Sequence, residues 1–127
     1  MRELPELYRR RAPRVDVEAY CSELIDDAER PALVVDFAPF GLRIQRPYVS
    51  GRLPREISLE LEVPEIYEVI WARAAVVFDQ LRPAPRGTQG GPLGFLRTTG
   101  LRIVAAAARD LRLLRDCHLW LRSRRGV

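Results

Sequence analysis

Arg10 and Arg14 bracket Arg11, Ala12 and Pro13 in the run RRAPR, with Arg9 just before it. Further along, DFAPFG sets Asp36, Ala38 and Gly41 at fixed spacing. The first run concentrates positive charge. A guanidinium is a planar fork that binds phosphate bidentately and stacks on flat rings. The second run puts a carboxylate, which accepts paired hydrogen bonds, before a glycine at a strand-to-strand corner. Glycine there allows a positive φ or a close approach of backbone to ligand. Together the two runs have the chemistry to hold a flat, phosphate-bearing molecule.

Composition narrows what surrounds them. The chain has 127 residues, 47% of them hydrophobic, enough for one folded core. No stretch approaches the roughly 18 uncharged apolar residues of a membrane span, and Val69–Phe78 is interrupted by Arg73. The start, MRELPELYRRR, carries charge where a signal peptide needs an apolar run, so a cytoplasmic protein is expected. All 21 basic residues are arginine, against 17 acidic ones, for a net charge of +4. Cys21 and Cys117 share no CxxC spacing and His118 is the single histidine. This is too few ligands for a thiolate metal site, and both cysteines read as small buried hydrophobes. No nucleophile is placed beside His118 and no GxxxxGK[ST] loop is present, so neither catalysis nor a metal is expected.

The elements that must position the two runs follow from periodicity. Val15 to Ser22 alternates as a half-buried strand, Asp26 to Pro31 reads as a polar turn, and Ala32 to Phe37 as a short apolar strand. Pro39 to Gly41 makes a corner and Leu42 to Gln45 begins the return. Ile57, Leu59, Leu61 and Val63 alternate with Ser58, Glu60 and Glu62, and Pro64 ends that strand. Glu68 to Leu81 and Gly94 to Val104 read as two further strands, joined by the Pro/Gly-rich segment from Arg82 to Pro92. Val104, Ala108, Leu111, Leu114, His118 and Leu121 then recur at three- and four-residue steps, one face of an amphipathic helix. Trp71 and Trp120 are expected in packing. The sum is mainly β: a six-stranded antiparallel barrel with a C-terminal helix. One domain spans 1–127, with a leader at 1–14, the barrel at 15–104 and the helix at 105–125.

RxxxR followed by [DN]xSxxG, in this order of elements, resembles the PilZ domain over roughly Leu7 to Leu121, with Ala38 in place of the motif serine. TGLRIV, at Thr99 to Val104, and the helix after it look like that family's last strand and closing helix. The resemblance implies a bacterial receptor for cyclic di-GMP, with no other cofactor, that passes its signal to a protein partner in motility, adhesion or exopolysaccharide control. It implies that Arg10 and Arg14 bind phosphate and stack on base, with Arg9 and Arg11 auxiliary, and that Asp36 accepts from a guanine edge. Ala38 removes a hydroxyl worth about 0.5–1.5 kcal/mol, roughly a two- to tenfold loss of affinity. Phe40 is placed either to stack on the base or to plug the site.

Two other readings compete. A PilZ fold that has lost the nucleotide would be a constitutive protein-interaction module. A nucleic-acid barrel would use Arg9–Arg14 and Arg122–Arg125 on phosphate backbone, but acidic residues are spread throughout the chain and aromatic platforms are not evident. The C-terminal helix either covers the barrel or packs against a second copy as a homodimer.

Overall fold

The computed structural model describes residues 15–62, 68–85 and 93–125. Among these residues, six strands, β1 (Val15–Ile25), β2 (Ala28–Ala38), β3 (Gly41–Pro47), β4 (Glu56–Glu62), β5 (Val69–Pro83) and β6 (Phe95–Ala106), are followed by one helix, α1 (Ala108–Arg125). They close into an antiparallel barrel in the order β1-β2-β3-β6-β5-β4. The barrel and helix expected from periodicity are both present.

Period two decides what points inward. On β4, Ile57, Leu59 and Leu61 are buried between partly or fully exposed Glu56, Ser58, Glu60 and Glu62. Leu42 and Ile44 on β3 and Leu101 and Ile103 on β6 meet them in the interior. Helix α1 covers one end of the barrel with Leu111, Leu114, Cys117 and Leu121. His118, 1% exposed, is on the same face, edge-on to Phe37 with ring centroids 5.9 Å apart. Both cysteines are buried and neither forms a disulfide. Burial, with Glu23 nearby, pushes the Cys21 thiol up to about 12, so it stays protonated and unreactive at neutral pH.

Several boundaries differ from the sequence expectation. The turn after β1 is only Asp26–Asp27, both at positive φ (50° and 64°), and Ile25 pairs directly with Ala28. Two left-handed residues make the tight hairpin whose twist matches the strands, and aspartate tolerates that conformation. Ala28 to Pro31 are therefore strand, not turn. At the other end of the chain, Ala105 and Ala106 are not helix but the end of β6, paired with Arg73 and Ala72. Sheet pairing overrides the helix propensity of the alanine run, and α1 begins only at Ala108. Trp71 and Trp120 are not core residues: they are 54% and 43% exposed. On β5, Trp71 alternates with buried Ile70 and Ala72 and so faces out, its backbone N–H donating to Asp110 in the first turn of α1 (3.4 Å).

The barrel interior is not apolar throughout. Away from the helix, the inward positions become charged on several strands at one level. Arg46 Nε meets Glu23 Oε1 at 2.6 Å, and its Nη1 donates to Thr99 Oγ1 at 2.7 Å. Thr99 donates onward to Asp79 Oδ1 at 2.8 Å. Arg97 grips Asp79 with Nε and Nη2 at 3.0 and 2.7 Å and lies over the Tyr48 ring, 5.4 Å from its centroid. Burial pulls Arg46 below its ordinary value against the pull of Glu23.

Burial alone would raise the Asp79 carboxyl, but hydrogen bonds from Arg97 and Thr99 outweigh it and hold the group below its usual value. The unfolded chain regains a pKa near 3.9, so it takes up the proton first as pH falls. The stability that the pairing contributes is complete above about pH 4 and is lost as pH drops through the lower folded value. Urea midpoints of the protein and of Asp79→Asn should therefore differ most near neutral pH and draw together as pH falls below the ordinary carboxylate range. A gap that does not change with pH would refute this.

Candidate functional site

Asp36 lies on β2 and is 1% exposed. It pairs across the sheet with Arg43 of β3, and its Oδ2 accepts from the Arg43 Nε while lying against Nη2. A register shift between Val34 and Asp36 explains the orientation. The extra residue, Val35, bulges, so Phe37 faces Leu42 inside and Asp36 faces Arg43 outside. Asp36 is thus a strand residue holding a cation.

Ala38 and Gly41 close the hairpin as a pair around Pro39 and Phe40. Gly41 is the first residue of β3, and the positive-φ glycines among the described residues are Gly51 and Gly94. Its freedom is therefore not used for a left-handed turn, since Pro39 fixes its own φ near −65° and the corner is built without one. Ala38 and Phe40 are buried, at 7% and 6% exposure. The Phe40 carbonyl accepts the Ile103 N–H at 2.7 Å, and burial of the residue leaves its ring no open stacking surface. Arg9, Arg10, Arg11 and Arg14 lie outside the described residues.

The rungs of the sheet carry the site outward from Asp36. Arg43 pairs with Gly100 of β6, and Gly100 pairs with Phe78 of β5. The next rung is Gln45, Thr98 and Gln80. Gly100 leaves a gap in the first of these rows. A Cβ built there would stand 2.2 Å from Phe78 Cε1, so the ring leans into the space that the missing side chain leaves. The result is a dip of about 340 Å³ on the outer face, lined by Val35, Arg43, Gln45, Phe78, Gln80, Arg82 and Thr98. Gln45 donates to Thr98 (3.2 Å) and Arg82 to Gln80 (3.2 Å). The lining holds two arginines, amide and hydroxyl groups and an aromatic ring, and no carboxylate. Such a surface can hold an anion and lay a flat ring against Phe78.

Arg43, Phe78, Arg82 and Gly100 were not singled out from sequence. The signals were there. GLRIQRP alternates, which puts Arg43 on the face opposite Leu42 and Ile44, and a glycine inside a strand often marks a close approach.

No protein-family model matches the chain, and no curated protein does. Solved structures do. The cyclic di-GMP-bound PilZ domain of YcgR from Escherichia coli superposes with a TM-score of 0.69 at 15% identity, covering 92% of this chain and 94% of that one. The Bacillus subtilis inhibitor of motility, MotI/DgrA, gives 0.66 at 20% identity, covering 92% and 53%. PlzA of Borreliella burgdorferi, solved with cyclic di-GMP, gives 0.64 at 8% identity, covering 91% and 52%. The chain spans about half the length of the last two. Among the described residues no helix is long and apolar enough to cross a membrane. The closed six-stranded barrel, its C-terminal helix and these superpositions give this chain the PilZ fold.

Proposed function

We propose that this chain is a cyclic di-GMP receptor that acts as an adaptor, signalling to a protein partner in bacterial motility, adhesion or exopolysaccharide control. The observation that carries the reading is the cationic outer dip beside Asp36, in a fold that YcgR and PlzA share in their ligand-bound structures. Arg43 and Arg82 meet phosphate, Phe78 meets a base, and Arg10 and Arg14 of the leader, with Arg9 and Arg11 auxiliary, close over the ligand. Ala38 supplies no hydroxyl, so affinity is reduced rather than abolished. The chain is a non-enzyme in this reading, and ligand-driven ordering of the leader presents the surface that a partner reads.

The burial of Asp36 and its engagement with Arg43 favour a second reading, in which the site is closed to guanine and the domain is a nucleotide-independent interaction module. One titration separates the two. Calorimetry with cyclic di-GMP should give micromolar binding. Each arginine–phosphate contact contributes about 1.5–3 kcal/mol, so Arg82→Ala, an exposed change, should weaken binding at least about tenfold. Ala38→Ser should tighten it about two- to tenfold. No heat from folded protein at tens of micromolar ligand removes the receptor reading, and binding gained only in Ala38→Ser identifies a degenerate site.

A further inference from the structure

The end of the barrel away from α1 holds a second cavity, of about 430 Å³. It lies where the inward positions turn from apolar to charged. On β1 the inward series runs Ala19, Cys21, Glu23; on β3 it runs Leu42, Ile44, Arg46; on β6 it runs Leu101, Thr99, Arg97. A barrel built only for stability would continue the apolar series, because buried ion pairs are often no better than well-packed hydrophobes. Breaks of pattern at one level on three strands are the places where function is expected to override packing.

The apolar part of the cavity wall is Ile25, Pro31, Pro47, Val49 and Leu53. Its size and mostly apolar lining are those of small-molecule sites, which recur in the mouths of β-barrels. The Tyr48 and Ser50 hydroxyls can donate or accept, and the charged groups that remain available are donors. Both Glu23 oxygens are taken by Arg46. Arg97 is held by Asp79 and Tyr48, yet its Nη1 has no hydrogen bond among the described residues. Arg30, at the exposed rim, has no carboxylate partner among them either. Spare guanidinium N–H groups set in apolar walls select an anionic head on an apolar body.

The geometry points to a second binding site in the barrel mouth, lined by Arg30, Arg97 and Tyr48, that takes a small organic acid with an apolar body. It is separate from the outer dip beside Asp36 and does not depend on cyclic di-GMP binding. The probe is 8-anilinonaphthalene-1-sulfonate, an apolar body carrying one anion, with uncharged N-phenyl-1-naphthylamine as its control. Fluorescence titration of the folded protein should show one saturable site, weakened at least tenfold in Arg30→Ala, and the uncharged control should bind at least tenfold more weakly. Amide shifts in a two-dimensional NMR titration should cluster at Ile25, Tyr48, Val49 and Leu53. Absence of binding, affinity unchanged in Arg30→Ala, equal affinity for the uncharged control, or shifts centred elsewhere would each overturn the proposal.

Discussion

Arg46→Ala is expected to cost about 3–5 kcal/mol of folding stability, a large part of the roughly 5–15 kcal/mol that a domain of this kind has in total. The side chain is 9% exposed and its Glu23 partner 2%. Truncation strands the Glu23 carboxylate inside the barrel and removes a donor from Thr99 Oγ1 and from the Arg97 carbonyl. The cost arises from what is left unpaired, not from the strength of the ion pair. That distinction is measurable. Replacing both partners, Glu23→Leu with Arg46→Met, removes the charges and keeps similar volume, and should be nearly neutral or even stabilising. Urea unfolding of the single and double variants tests it. A loss under about 1 kcal/mol for Arg46→Ala alone would mean that water reaches the pair and that it behaves as a surface bridge. A stable double variant would show that the pair adds nothing to stability over an apolar filling of the same volume.

What the sequence disclosed follows from how local each cause is. The β4 alternation of Ile57, Leu59 and Leu61 is a property of neighbouring residues, and it was readable. So was the face of α1, where Leu111, Leu114, His118 and Leu121 recur at helical spacing and are buried. Other features depend on partners far along the chain. Ala105 and Ala106 have strong helix propensity and become strand only because β5 pairs with them. Alternation marks Glu23, Arg46 and Arg97 as belonging to one face of their strands, but charge at those positions argues for the outside. Their inward placement is intelligible only once the barrel brings Glu23 to Arg46 and Asp79 to Arg97. Trp71 shows the converse: alternation puts it outward, and the large apolar side chain suggested the core. At the candidate site, the Asp36–Gly41 run was visible as a motif. The cation that Asp36 holds was not, because the pairing with Arg43 depends on the bulge at Val35.

Gly100→Val is expected to destabilise the domain by about 1–2 kcal/mol, within the range for overpacking. Two effects oppose each other. Valine is a better strand residue, and replacing a glycine in a strand interior returns about 0.5–1 kcal/mol. Against this, the Phe78 ring occupies the space the new side chain needs, with Cε1 2.2 Å and Cδ1 2.5 Å from the Cβ position. Those are ring atoms of a half-buried side chain, so the ring must swing off β6 and give up its contact there, a fraction of the roughly 1.5–3 kcal/mol that full burial of a phenylalanine is worth. The packing loss exceeds the backbone gain. The clash is specific to one neighbour, so a double-mutant cycle isolates it. In a Phe78→Ala background, Gly100→Val should be neutral or mildly stabilising, whereas in the parent it is costly. Equal cost in both backgrounds would place the strain in the backbone and not in the ring. The same pair of variants bears on the outer dip. Valine at position 100 fills the gap between Arg43 and Phe78, so ligand binding there should fall even at temperatures where the variant stays folded.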